Sequence, residues 1–96
     1  MRILWLRRAE TDLNQIFDYL SEFDDGAASR ILDLIRDRVA TLADLPGSGR
    51  SGRIPDTREL AIARTPYVVA YTVDRRIDAV IVLRVLHGSR RWPENI

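Results

Sequence analysis

The chain has no cysteine and no lysine, and it carries a single histidine and a single methionine. Without cysteine, disulfides, thiol nucleophiles and cysteine-based metal sites are excluded. One histidine is too few for an ordinary zinc centre, so no metal and no cofactor is expected. Long apolar runs are also missing, which leaves no candidate membrane span and no membrane partner. The opening MRILWLRRAE has one short apolar stretch and no small-residue cleavage site, so it does not read as a signal peptide. A cytoplasmic protein is the expectation. At 96 residues the sequence predicts a single domain over 1–96, able to bury one core and leaving much of its surface wet.

The absence of lysine means that all 15 basic residues are arginine, although the net charge is only +1. Codon bias alone produces such a composition, and net charge says little about fold. Planar, forked guanidinium groups nevertheless suit phosphate and carboxylate recognition. Their distribution is uneven. From Glu10 to Asp44 there are nine acidic and three basic residues; from Arg50 to Arg91 there are nine arginines and four acids. An acidic first half and a basic second half point to an anionic partner for the latter.

Periodicity divides the chain. Arg2 to Leu6, RILWL, is short, bulky and apolar and predicts a strand. Across Arg7 to Glu22, Leu13, Ile16, Phe17 and Leu20 fall at i, i+3, i+4 and i+7, one face of a helix, with Asp12, Asn14, Gln15 and Asp18 away from it. After the turn SEFDDG, a second helix is expected from about Ala27 to Leu45, ended by Pro46. The short link predicts an antiparallel helical hairpin. GSGRSGRIPD, Gly47 to Asp56, reads as a loop. Three β-rich segments follow, Thr57 to Arg64, Tyr67 to Val73 and Ile77 to His87, separated by links short enough for antiparallel hairpins.

The expected fold is therefore α+β: an N-terminal strand, a helical hairpin and a three-stranded antiparallel meander, with the helices on one face of a curved sheet. The last strand, apolar almost throughout, should be central, and the N-terminal strand is expected beside the second strand. The face opposite the helices is expected to be bare, with Arg84 pointing from it, and a partly apolar bare face suits binding.

In this frame the sequence becomes familiar. LPGSGRSGRIPDTREL, TPYVVAY and VLRVLHGSRRWP, following an acidic amphipathic helix pair, resemble the RelE/ParE superfamily of bacterial toxins from type II toxin–antitoxin modules. The resemblance spans essentially the whole chain. It implies the α+β fold just described and a growth-inhibiting toxin neutralised by a cognate antitoxin, in a heterotetramer or larger complex, often in a plasmid-stabilising module. It leaves the target open between two branches: ribosome-dependent endoribonucleases that cut mRNA, and ParE-like inhibitors of DNA gyrase.

Metal-free RNA cleavage needs a base, an acid and cations that stabilise the phosphorane. The candidates are His87, Arg84, Arg90 and Glu59, with Glu59 better suited to pairing with a neighbouring arginine. Compared with the RelE-type nucleases, this chain has Glu59 and Ala61 where basic residues stand, Val68 where a YRLVY-like motif has arginine, and no late tyrosine. Losing one such donor alone costs about 3 kcal/mol of transition-state stabilisation. His87 is followed by Gly88, so the histidine–aromatic ending of YoeB-like nucleases is also absent. The sequence therefore favours the ParE-like branch, with no catalytic residues and a target-binding set of Arg58, Arg64, Arg84, His87, Arg90, Arg91 and Trp92. Arginine with tryptophan at an exposed edge has the composition of an interface hot spot. A ribosome-dependent nuclease is the alternative, and an inactive toxin-like binding module a second one. For the antitoxin, an acidic amphipathic peptide ordering on binding fits the basic half, with Phe17, Leu20, Ile31 and Ile35 as candidate groove residues.

Overall fold

The computed structural model describes all of residues 1–96. The elements in chain order are β1 (Arg2–Trp5), α1 (Arg7–Ser21), α2 (Asp25–Ala40), a 3₁₀ turn (Thr41–Ala43), β2 (Arg50–Ser51), β3 (Arg58–Ala61), β4 (Tyr67–Asp74) and β5 (Ala79–His87). The five strands form one sheet in the order β1-β5-β4-β3-β2. β2 to β5 are antiparallel, whereas β1 runs parallel to β5. No helix is long and apolar enough to cross a membrane.

The inward helix faces follow the expected spacing. Ala9 and Leu13 of α1, Ile35 and Val39 of α2, and Leu42 just beyond pack on Val69, Tyr71, Val80, Val82 and Val85. Asp24 caps α2 by accepting a hydrogen bond from the Ala27 N–H at 3.1 Å, which starts that helix two residues earlier than its apolar pattern does. The helix tightens into 3₁₀ geometry before Leu45 and Pro46, so the expected single helix to Leu45 is two pieces.

Three expectations are corrected. First, β1 lies beside β5 rather than beside the second strand of the meander. Second, the loop Gly47 to Asp56 contains a short strand. The buried Tyr71 hydroxyl donates to the Pro46 carbonyl at 2.7 Å and accepts from the Gly49 N–H at 2.9 Å. A Cβ at Gly49 would sit 2.6 Å from that hydroxyl, so only glycine allows the approach that lays Arg50 and Ser51 beside β3. Third, the face away from the helices is not bare. The cross-strand rows Glu59–Ala70–Arg84 and Ala61–Val68–Leu86 lie there, yet Glu59, Val68 and Ala70 are buried. Arg53, from the loop after β2, and Trp92, from the C-terminal tail, fold over this face. The Arg53 guanidinium lies 3.6 Å from the centre of the Trp92 ring. Gly88 permits the tail's return, because a Cβ there would be 3.0 Å from Val68 Cγ2.

Asp12 was expected away from the apolar face of α1, but it is 6% exposed. It follows Ala9 by three positions and precedes Leu13 by one, so helical geometry turns it inward. It faces the point where β1 stops. β1 covers β5 only as far as Val82, and a register shift follows as β5 crosses β4. The Asp12 carboxylate then takes over the vacant edge. It accepts the Val85 N–H at 2.9 Å and both Nε and an Nη of Arg84, at 2.8 and 3.0 Å. Arg84 is thereby drawn around the strand edge toward α1 instead of standing free on the opposite face.

Replacing Asp12 with Ala should therefore leave a largely buried guanidinium and a buried N–H without a partner, destabilising the fold by about 3 kcal/mol in urea unfolding. Asp12→Ala combined with Arg84→Leu should recover part of the loss. Equal stabilities for wild type and Asp12→Ala would contradict this account of the edge.

Candidate target-binding groove

The end of the sheet beyond β1 opens into a groove of about 490 Å³. α1 forms one wall with Gln15, Ile16 and Tyr19, and Ile31 of α2 lies beside it. The β3–β4 turn, from Arg64 to Tyr67, and the tail residues Arg90 to Trp92 form the rest of the rim. β5, from Arg84 to His87, supplies the floor. Of the groove residues expected on the helices, Leu20 and Ile31 do line it. Ile35 does not, being fully buried in the core, and Phe17 is not among the lining residues.

Six of the sequence-selected residues meet here: Arg64, Arg84, His87, Arg90, Arg91 and Trp92. Arg58 and Glu59 lie elsewhere. Arg58 donates to the carbonyls of Gly49 at 2.8 Å and Gly47 at 3.3 Å, which ties the preceding loop to β3. Glu59 sits under that loop, 3% exposed. It accepts hydrogen bonds from the Arg53 backbone N–H at 2.7 Å, from the Arg53 guanidinium at 3.1 Å and from Arg50 at 3.0 Å. Burial alone would push this carboxyl up. The bonds from Arg53 and Arg50 outweigh it and hold the group at about 2.

His87 ends β5 with its ring edge-on to Tyr67, centroids 6.0 Å apart. Its Nδ1 lies 3.3 Å from the Ser89 backbone nitrogen and 3.0 Å from Ser89 Oγ. A backbone N–H can only donate, which assigns Nδ1 as the acceptor and places the proton of the neutral ring on Nε2. Trp92 Nε1 donates to the His87 carbonyl at 3.1 Å, folding the tail back over the strand end. Burial pushes the Tyr67 hydroxyl up, and the nearby Arg90 charge opposes that push without cancelling it.

The electrostatics are lopsided. Arg84 is spent on Asp12, whose hydrogen bonds hold it more firmly protonated. Arg64, Arg90 and Arg91 are exposed and belong to none of the five salt bridges. Three unpaired guanidinium groups thus rim a partly apolar groove. No three acidic or histidine side chains converge as a metal-ligand set. The contributions of Asp12, Tyr67 and Ser89 escaped the sequence reading. Only Asp12 left a signal, through its spacing from Ala9 and Leu13.

With this geometry in place, comparison with known proteins is informative. The family described as "ParE toxin of type II toxin-antitoxin system, parDE" matches residues 3–92. The chain belongs to the ParE toxin family. This ParE-family protein is 40% identical over 93 residues to "Putative toxin Y4kP" of Sinorhizobium fredii, covering 97% of this chain and 94% of that one. It is 33% identical over 90 residues to "Toxin RelE2" of Caulobacter vibrioides, covering 93% and 97%. Among solved structures, the chromosomal ParDE toxin–antitoxin system of P. aeruginosa superimposes with a TM-score of 0.80 at 27% identity, over 91% of this chain and 95% of that one. The RelE/ParE-like fold and the toxin class expected from the sequence are both borne out.

The Glu59 cluster gives a pH test. A carboxyl depressed from 4.5 to about 2 contributes stability that is present above pH 4.5 and lost as pH falls toward 2. Its arginine partners are 62% and 41% exposed, so solvent screening reduces the effect to about 1–2 kcal/mol. Unfolding free energies between pH 6 and 2 should fall less steeply for Glu59→Gln than for wild type. Parallel curves would show that the cluster contributes nothing.

Proposed function

We propose that this ParE-family toxin arrests growth in the cytoplasm by binding DNA gyrase through the arginine-rimmed groove, and that a cognate antitoxin neutralises it in a heterotetramer or larger complex. One observation carries the choice of binding over catalysis. The groove offers cations without an assembled acid–base pair. Asp12 is consumed by Arg84 and the β5 edge, and Glu59 is outside the groove and ionised far below neutral pH. Tyr67 is pushed away from acting as a base. His87 is the one imidazole in the groove, and general acid–base cleavage needs two proton-transferring groups. The position where nuclease relatives resemble YRLVY is Val68, which is buried and cannot hold phosphate.

Arg64, Arg90, Arg91 and Trp92 supply what an interface hot spot needs: forked donors beside an aromatic surface. The similarity to a protein from a ParDE toxin–antitoxin system supports an antitoxin partner. The relative named RelE2 favours a second reading, a ribosome-dependent endoribonuclease in which His87 and Arg90 would act on the messenger with Arg84.

Purified protein added to a gyrase supercoiling reaction should inhibit it, while messenger on translating ribosomes stays intact. Arg90→Ala/Arg91→Ala should weaken inhibition by about 10-fold or more, as expected for losing two charge-assisted contacts. His87→Ala should have little effect. Codon-positioned cuts that disappear in His87→Ala would instead establish the nuclease. The product of the adjoining open reading frame, added in equimolar amount, should relieve either activity if it is the antitoxin.

A further inference from the structure

Three residues other than glycine have positive φ: Asp56 at 64°, Asp78 at 53° and Arg64 at 70°. Aspartate is several-fold enriched in that left-handed region, because its short side chain bonds locally, but arginine is not. Arg64 occupies the third position of the β-turn that links β3 to β4, closed by the Thr65 N–H on the Ile62 carbonyl at 3.1 Å. A turn with positive φ at this position is the place where glycine is preferred. The strained arginine gains nothing inside the molecule in return. Its side chain is exposed at the groove rim and joins no salt bridge. Local strain of this kind persists at sites where it serves a ligand.

We infer that Arg64 determines the specificity of the groove, held in a left-handed conformation to present its guanidinium to a carboxylate on an acidic, amphipathic peptide segment. The inference rests on reading the groove as a protein-docking seat. Charge and shape select a peptide over a nucleic acid strand. The free cations lie on one side of the groove only, at Arg64, Arg90 and Arg91. The opposite wall comes from the helices, which present the apolar Ile16, Leu20 and Ile31 and no free cation. A polyanion with charge along its whole length would find no partner for its charges on that wall. A helix or strand acidic on one edge and apolar on the other matches both sides. Its apolar residues have Ile16, Leu20 and Ile31 to bury against, and beyond them an edge-to-face pair, Tyr19 and Phe23, 52% and 73% exposed. A carboxylate reaching Arg64 makes a forked, charge-assisted contact that lysine reproduces only in part.

The test separates strain from recognition by measuring both on the same variants. Arg64→Gly should raise Tm by about 4 °C, since glycine adopts the left-handed turn freely and the relief exceeds its added chain entropy. The same variant should bind a fluorescein-labelled 20-residue leucine–glutamate amphipathic peptide about tenfold more weakly than wild type. Arg64→Lys should fall between the two. A dT20 oligonucleotide should bind wild type more weakly than the peptide does. Amide NMR shifts on peptide addition should move at Tyr67, Leu86 and His87. The inference is overturned if Arg64→Gly lowers Tm, if it binds the peptide as tightly as wild type, or if wild type ignores the peptide or prefers dT20. None of these readouts involves gyrase or ribosomes, so the proposed target can fail without affecting them, and they can fail without affecting it.

Discussion

One salt bridge joins the helical layer to the sheet, that of the Asp12 carboxylate with Arg84 on the edge of β5. The groove end of the molecule is arranged around that junction. β1 is only four residues long and leaves β5 half covered. A buried strand edge with vacant N–H groups is costly, and a desolvated carboxylate is costlier still. Each relieves the other, and Arg84 completes the neutralisation. Because the bond is made from the first half of α1, it fixes the helix over the strand and leaves the later turns, Gln15 to Leu20, as a wall standing off from β5. The groove is the space that remains.

The same economy explains the chemical character of the site. This protein has two buried carboxylates, and each is committed to arginine. Asp12 takes one guanidinium, and Glu59 takes two and a backbone N–H. Among the arginines of the groove, those of the turn and the tail have no carboxylate partner, and they sit at the rim. A surface produced this way carries unpaired guanidinium groups and no unpaired buried carboxylate. Glu59 also has an indirect part. It positions Arg53, Arg53 supports the Trp92 ring, and Trp92 carries the tail bearing Arg90 and Arg91 back toward the groove.

Much of the fold was legible in the sequence because the helices and the meander follow simple periods of apolar residues. Leu13, Ile16 and Leu20 mark α1 without ambiguity, and the run through β5 marks a central strand. What was not legible depends on contacts distant in sequence. The placement of β1 is decided by β5, more than seventy residues away. The order within Gly47–Asp56 is imposed by the hydroxyl of Tyr71, which pattern alone treats as one more strand aromatic. Asp12 was assigned outward because charge outweighed spacing in the reading, and its partner 72 residues on could not be seen. For the site, clustered arginines near the C-terminus were visible. Which of them were already occupied was not: Arg58 and Arg84 look like Arg90 and Arg91 on paper, and only their neighbours distinguish them. Arg64 is a special case, since its backbone angle, rather than its identity, sets it apart.

The half-covered β5 has a bearing on solubility. A sheet margin with open donors and acceptors is a template on which like strands can accrete, and small β-containing proteins kept without a companion are prone to it. Here two of the groups past β1 are stoppered by side chains, the Val85 N–H by a carboxylate and the His87 carbonyl by an indole. A second chain attempting to pair with β5 beyond β1 would have to evict a charge and an aromatic ring before forming its first ladder bond there. That stretch of β5 is therefore closed to the accretion of a like strand.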